Sequence, residues 1–297
     1  MSEISQLAKT GEAPVTDVLQ HLGDLLRRQW RRYRKRLEHC QQRFSEKAVH
    51  DSRVETRRLL ATIELLGAFV PEHELQKTRR ALKRHLDTFA ELRDTQMQLA
   101  LVRKMGWASP AARDFRDWLL RREVRCLRTT RKEVRRIKTK RVGRRIAAFA
   151  EEIRRWRRHA SPARTLAQAG RAIDCAFAQV VRLRRRVKAA DMATIHRTRV
   201  AFKRFRYMVE ALPPLSSATA TARRHQAMRA YQAVMGDIQD LEVLLAVLDK
   251  FARQSDRNPA EVGRLKRGLL RRQQQRVRVF LKTADRLREF WPPKIVT

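Results

Sequence analysis

Residues that stop a helix are few in this chain: nine glycines and nine prolines are spread over 297 residues. The stretches between them are dominated by Ala, Leu, Arg, Gln and Glu, all good helix formers. Val and Ile occur, but they do not alternate with polar residues over any length, so no strand pattern emerges. The chain reads as all-α. Pro14 with Thr16 and Asp17 opens a first helix reaching about Phe44, and Ser45 or Lys47 begins a second that ends near Pro71. A third runs from about Glu72 to Met105 and stops at Gly106. Ser109-Pro110 and Ser161-Pro162 each pair a Ser cap with a first-turn proline, the signal of a new start. The fourth helix therefore spans Pro110 to about His159, bent or broken near Gly143, and the fifth runs to about Ala190. Asp191 caps a sixth, ended by Pro213-Pro214; a seventh spans Ser217 to Gln254; Asn258-Pro259 opens an eighth, ended by Pro292-Pro293. Eight antiparallel helices with short loops favour two four-helix bundles, 14–159 and 161–290, between short tails at 1–13 and 291–297.

The two halves match in sequence. The segment AVHDSRVETRRLLATIELL from Ala48 aligns with TIHRTRVAFKRFRYMVEAL from Thr194. His50 meets His196, an offset of 146 residues, and Arg53 meets Arg199, Val54 meets Val200, Arg57 meets Lys203, Arg58 meets Arg204 and Glu64 meets Glu210. At the same offset Lys83 meets Arg229, Asp94 meets Asp240, and Leu99-Ala100 meets Leu245-Ala246. A duplicated four-helix unit explains this register. Two copies related by a pseudo-twofold axis would turn their equivalent faces toward one shared groove.

Charge narrows the partners. The 69 Lys and Arg against 31 Asp and Glu leave a formal charge of +38. Such a charge repels itself in a folded chain, so a polyanion is the expected companion: nucleic acid, an anionic membrane surface or polyphosphate. No apolar run reaches about 18 residues, so no membrane insertion is expected. Met1 to Thr10 lacks the basic start and apolar stretch of a secretory signal. Cys40, Cys126 and Cys175 are odd in number and far apart, and are expected to be buried apolar thiols in a reducing cytosol.

On a helical wheel Ile195, Phe202, Phe205, Val209 and Leu212 form an apolar stripe, flanked by His196, Arg199, Lys203 and Arg206. Arg199 and Arg206 lie about 70–90° from the apolar centre. The second helix repeats this, with Val49, Leu59, Ile63 and Leu66 beside His50, Arg53 and Arg57, while Arg58 and Arg204 point to the far side. Charged residues usually just face water, but a solvated face needs no matching in two copies. Arg heads three or four residues apart lie about 5–6 Å from one another and bond phosphate bidentately, which suits a string of phosphates. His50 and His196 are either donors or cations facing such a chain, or histidines satisfied at a helix start. Asp94 and Asp240 sit on otherwise apolar stretches and need a partner, expected to be an Arg or His of the second or sixth helix. Catalytic residues, a metal site and a cofactor are not expected: no His or Cys stands at ligand spacing, and there is no Gly-rich phosphate loop.

The pair His50-x-x-Arg53-Val54-x-x-Arg57-Arg58 and His196-x-x-Arg199-Val200-x-x-Lys203-Arg204 resembles the signature of the conserved histidine α-helical domain, the CHAD family. Leu92-Arg93-Asp94 resembles its Arg-Asp element, which in the second half reads Ile238-Gln239-Asp240 without the Arg. The resemblance covers about Val15 to Phe290. It implies two four-helix bundles related by pseudo-twofold symmetry, with inorganic polyphosphate bound in a basic groove or pore between them. It further implies a cytoplasmic protein associated with polyphosphate granules. By the same resemblance His50, Arg53, Arg57, Arg58, His196, Arg199, Lys203 and Arg204 are binding candidates; the wheel adds Arg206 and the duplication adds Lys83 and Arg229. The leading reading is a non-enzymatic polyphosphate binder. The alternative is a nonspecific nucleic-acid binder, with Arg121, Arg122, Arg125, Arg128, Arg131, Arg135 and Arg136 holding duplex phosphates.

Overall fold

The computed structural model describes residues 17–213, 217–254 and 259–291. Their secondary structure is ten α-helices and a closing 3-10 turn, with no strand among the described residues. In chain order these are α1 (Val18–Gln42), α2 (Glu46–Leu66), α3 (Glu72–Asp87), α4 (Ala90–Met105), α5 (Pro110–Arg136), α6 (Lys140–His159), α7 (Pro162–Arg185), α8 (Met192–Ala211), α9 (Ala218–Arg253) and α10 (Pro259–Thr283). The starts follow the capping chemistry. Side chains of Asp17, Ser45, Ser109, Ser161, Asp191 and Ser217 each accept a hydrogen bond from a first-turn amide. Gly106, at φ 63°, ends α4 in the left-handed conformation. Pro14, Pro214, Asn258, Pro292 and Pro293 lie outside the described residues.

Ten helices stand among the described residues where eight were expected: the third is split at a point with no breaker residue, and the fourth is broken, as one expectation had it, but before Gly143. Between α3 and α4, the Thr88 hydroxyl donates to the Arg84 carbonyl at 3.1 Å and Phe89 turns into the core at 1% exposure. Between α5 and α6 the chain turns at Ile137 to Thr139, short of Gly143. Gln41 of α1 donates to the Val134 and Ile137 carbonyls at 3.0 Å each, satisfying the end of α5 from another helix. Gly143 serves packing instead of breaking the helix. A Cβ there would stand 3.0 Å from the Trp30 ring, so the glycine lets α6 lie close on α1.

The buried apolar residues form two clusters, and neither is confined to one half of the sequence. The larger joins α1, α2, α3 and α6 to α7, α8, the first part of α9 and the end of α10, through side chains such as Leu22, Tyr33, Phe149, Ile173, Phe202 and Phe280. The smaller is built where the α4–α5 and α9–α10 turns meet, from Leu99, Phe115 and Leu119 against Leu245, Phe251 and Leu269. The core is therefore not partitioned at Ser161. Helices α2 and α8 pack directly on each other. Their starts, Glu46 and Met192, differ by the same 146 positions as the matched residues. Cys40 and Cys126 are buried as expected, but Cys175 is exposed on α7, correcting the reading of three buried thiols. Its helix buries Ile173, Ala176 and Val180, a face that turns Cys175 outward.

Candidate functional site: a basic seam between two matched helices

Helix α2 carries its apolar residues into the larger core and leaves Arg53 and Arg57 beside the seam; α8 does the same with Arg199, Lys203 and Arg206. Arg53 is 8% exposed, its guanidinium reaching the Leu86 carbonyl at 3.5 Å, and Arg206 is 6% exposed. Arg57, Arg199 and Lys203 are half-buried. Lys203, Arg53 and Arg57 feel their cationic neighbours. Burial, then Arg57, Arg199, Arg206 and Arg53, pull the Lys203 ammonium down to about 7. Burial, then Arg57 and Arg93, lower the Arg53 guanidinium to about 10, and burial with Arg199, Arg93 and Arg206 lowers Arg57 too. Such depression marks cations crowded out of water without matching anions. The Nε atoms of Arg57 and Arg199 are buried with no hydrogen-bond partner among the described residues, so both present unused donors.

Asp94 and Asp240 stand beside this group. Burial raises both carboxyls; the opposing pull comes first from Arg53 for Asp94 and from Arg199 for Asp240. These are the arginines of the expected helices, acting through space, since neither carboxylate closes an ion pair within 4 Å among the described residues. Asp94 also raises Asp240, which places the two carboxylates near each other.

The remaining candidates sort by surroundings. His50 is exposed and lines a cavity of about 530 Å³ with Lys47, Arg53, Arg93 and Gln96. His196 is exposed, and its Nδ1 is hydrogen-bonded to the Gln239 side chain. Arg58 and Arg204 are exposed and ion-paired, to Glu55 at 2.7 Å and to Glu64 at 2.8 Å, but they do not leave for the far side as expected: Arg204 reaches across to α2, and Arg58 lines a cavity with Tyr207 and Glu210 of α8. Arg204 thereby ties α8 to α2. Arg229 is exposed and reaches Glu210 at 3.3 Å, the carboxylate that also holds Arg206 at 2.5 Å. Lys83 is exposed on α3, and the seam cations draw their shifts from other charges.

The structure adds Arg93, Arg122 and Tyr207. Arg93 acts on Arg53, Arg57 and both aspartates, and Arg122 acts on Asp94. Arg93 escapes a search by duplication because Gln239 stands at its counterpart; its adjacency to Asp94 was the available signal. Tyr207 takes the Arg206 guanidinium on its ring face at 4.2 Å and the Lys203 ammonium at 6.0 Å. It also lines a second cavity, of about 280 Å³, with Arg28, Arg32, Arg58 and Glu210.

Fold and site together define an all-helical domain in which two matched helices meet along a basic seam. The CHAD domain model matches residues 24–249 of this chain, and the chain belongs to the CHAD family. In solved structures the chain is similar to the CHAD domain from the plant Ricinus communis, with TM-score 0.71, 18% identity and 94% of each chain covered. It is also similar to PptA from Streptomyces chartreusis, with TM-score 0.62, 16% identity, and 92% of this chain and 100% of that one covered. No curated protein matches it in sequence.

Proposed function

We propose that this protein binds inorganic polyphosphate along the seam between α2 and α8 and performs no chemistry on it. The observation that carries the reading is the crowding of Arg53, Arg57, Arg93, Arg199, Lys203 and Arg206, of which only Arg206 closes an ion pair among the described residues, with Glu210; Asp94, Asp240 and Asp87 act on the group from farther off. A flexible chain of phosphates relieves that repulsion. It meets guanidiniums held by packing and supplies acceptors to the unpartnered Arg57 and Arg199 nitrogens. His50 and His196 sit at the N-terminal ends of the two rows, where they can donate to the same chain.

Family membership supports this substrate over other polyanions. The recurrence of helix bounds and cavities supports an internal duplication about an axis between the halves. One cavity, about 520 Å³, is lined by Lys104, Asp237, Arg272 and Gln275. Another, about 370 Å³, is lined by Lys250, Glu91, Cys126 and Thr129, the same positions 146 residues away. Association with polyphosphate granules in cells follows from the same reading and is checked by imaging a fluorescent fusion against a polyphosphate stain.

The deciding test is titration calorimetry with long-chain polyphosphate on the wild type and on Arg57→Gln with Arg199→Gln. A loss of tenfold or more in affinity, with an unchanged helical spectrum, is expected. Full affinity in the double variant sinks the seam assignment. Release of orthophosphate by the pure protein, with or without divalent metal, would overturn the non-enzymatic part.

A further inference from the structure

The longest basic run outside the seam lies on α5 and its turn into α6. Residues 121–145 hold thirteen Lys and Arg against Glu123 and Glu133. On α5 the core side is fixed by Phe115, Leu119, Cys126, Thr130 and Val134. At about 100° per residue, Arg121, Arg128, Lys132 and Arg135 fall within about 60° of one another on the opposite side. All four are exposed, and none closes an ion pair among the described residues. Arg131 and Arg136, also exposed, flank the row on its two sides, widening the basic arc to about 140°. Arg122, whose charge acts on Asp94, lies about 120° around the helix from Arg128, so the row turns away from the seam.

We infer that this outward face of α5 is a second, separate polyanion surface, and that it takes duplex nucleic acid without sequence preference. Its shape argues for a duplex. The row from Arg121 to Arg135 runs about 21 Å, and flanking cations on both sides can reach the two phosphate strands that bound a groove. A single flexible phosphate chain offers only one strand. Residues 119–145 contain no Asn or Gln to read base edges, and the large apolar side chain exposed on this face is Val124, too little to anchor in a membrane or stack single-stranded bases. The row is also not a by-product of the sequence match. Positions 146 residues further on, in α10, hold Arg267, Gln274, Arg278 and Leu281, so two of the four cations are missing there.

The test is fluorescence anisotropy of a short labelled duplex DNA, over a salt series around 0.15 M. The first variant carries Arg121→Gln, Arg128→Gln, Lys132→Gln and Arg135→Gln. The second neutralises Arg267, Arg271, Arg278 and Lys282 on α10 in the same way, and the third is Arg57→Gln with Arg199→Gln. The α5 variant is expected to lose tenfold or more in duplex affinity, with the slope of log affinity against log salt reduced by about 3–4, and to keep its polyphosphate affinity. The α10 and seam variants are expected to keep most of the duplex affinity. Absence of duplex binding by the wild type overturns the inference, as does an equal loss in the α5 and α10 variants, which would make net charge the cause. Loss of duplex binding in the seam variant alone would place both polyanions in one site. Circular dichroism of each variant establishes that the helices persist, as expected for exposed substitutions away from the core.

Discussion

Helices α2 and α8 carry one motif in two settings, and the differences show how much a motif leaves to its neighbours. Arg53 is locked by burial and a backbone carbonyl, whereas its counterpart Arg199 is half-buried with a free Nε. His50 faces a cavity that contains Arg93; His196 faces Gln239, which stands in place of that arginine. Arg57 is answered by Lys203, a cation that can lose its proton. Leu60 is answered by Arg206, which brings a buried guanidinium, its Glu210 and Gln232 partners and the Tyr207 ring to one half alone. Thr56, whose hydroxyl donates to the Ser52 carbonyl at 2.7 Å, is answered by Phe202, packed among Phe205, Tyr231 and Phe290. At this matched position α8 is anchored among aromatic rings, and α2 by close packing around a small hydroxyl.

The sharpest way to break this contrast is in the core. Phe202→Ala should cost about 3–5 kcal/mol and Thr56→Ala about 1 kcal/mol, read from urea midpoints at constant slope. Equal costs would show that the two matched positions are stabilised alike. Next comes Arg206→Ala, which leaves Glu210 with its exposed Arg229 pair alone and takes the donor from Gln232, and should cost about 2 kcal/mol, while Arg229→Ala, at an exposed pair to the same Glu210, should cost no more than about 0.5 kcal/mol.

A third comparison concerns Arg57 and Lys203. A bound polyanion should lift the Lys203 ammonium from its depressed value of about 7. Binding should then take up a proton near neutrality and weaken several-fold as pH rises above that value, and Lys203→Arg should flatten the profile. Without ligand the sign differs. Below about 7 the folded protein carries the full cost of the charged Lys203, and that cost is relieved as pH rises toward the ordinary 10.5, because the unfolded chain holds more protons in that window. Calorimetry in buffers of different ionisation enthalpy measures the uptake; a pH-independent affinity would remove Lys203 from the site. The smallest effects belong to the exposed, ion-paired arginines. Arg58→Ala and Arg204→Ala should each change stability by less than about 1 kcal/mol and polyphosphate affinity less than the Arg57 and Arg199 changes do.

Local rules made the helix starts readable, because a Ser or Asp cap and a first-turn proline act within one turn of chain. The missed break at Thr88-Phe89 had no such local signal, and the break expected near Gly143 falls a few residues earlier, at Ile137 to Thr139. Thr88-Phe89 breaks because the Phe89 ring is drawn into the core, and the end of α5 is satisfied by Gln41 from ninety-odd positions away. The site was legible as far as duplication reached. Lys83 shared the repeat but not the seam, and Arg93 shared the seam but not the repeat. Cys175 was misread because a thiol's burial depends on which face of α7 meets the core.

The sequence by itself determined the helical character, the capped starts, the 146-residue match and the row of cations beside each apolar stripe, all consequences of near-neighbour chemistry. Only the tertiary structure decided that the two rows face each other. It drew its cores from both halves and packed α2 on α8, since apolar faces seek the nearest complementary surface whatever their order along the chain. That packing turned separate arginines into one crowded seam.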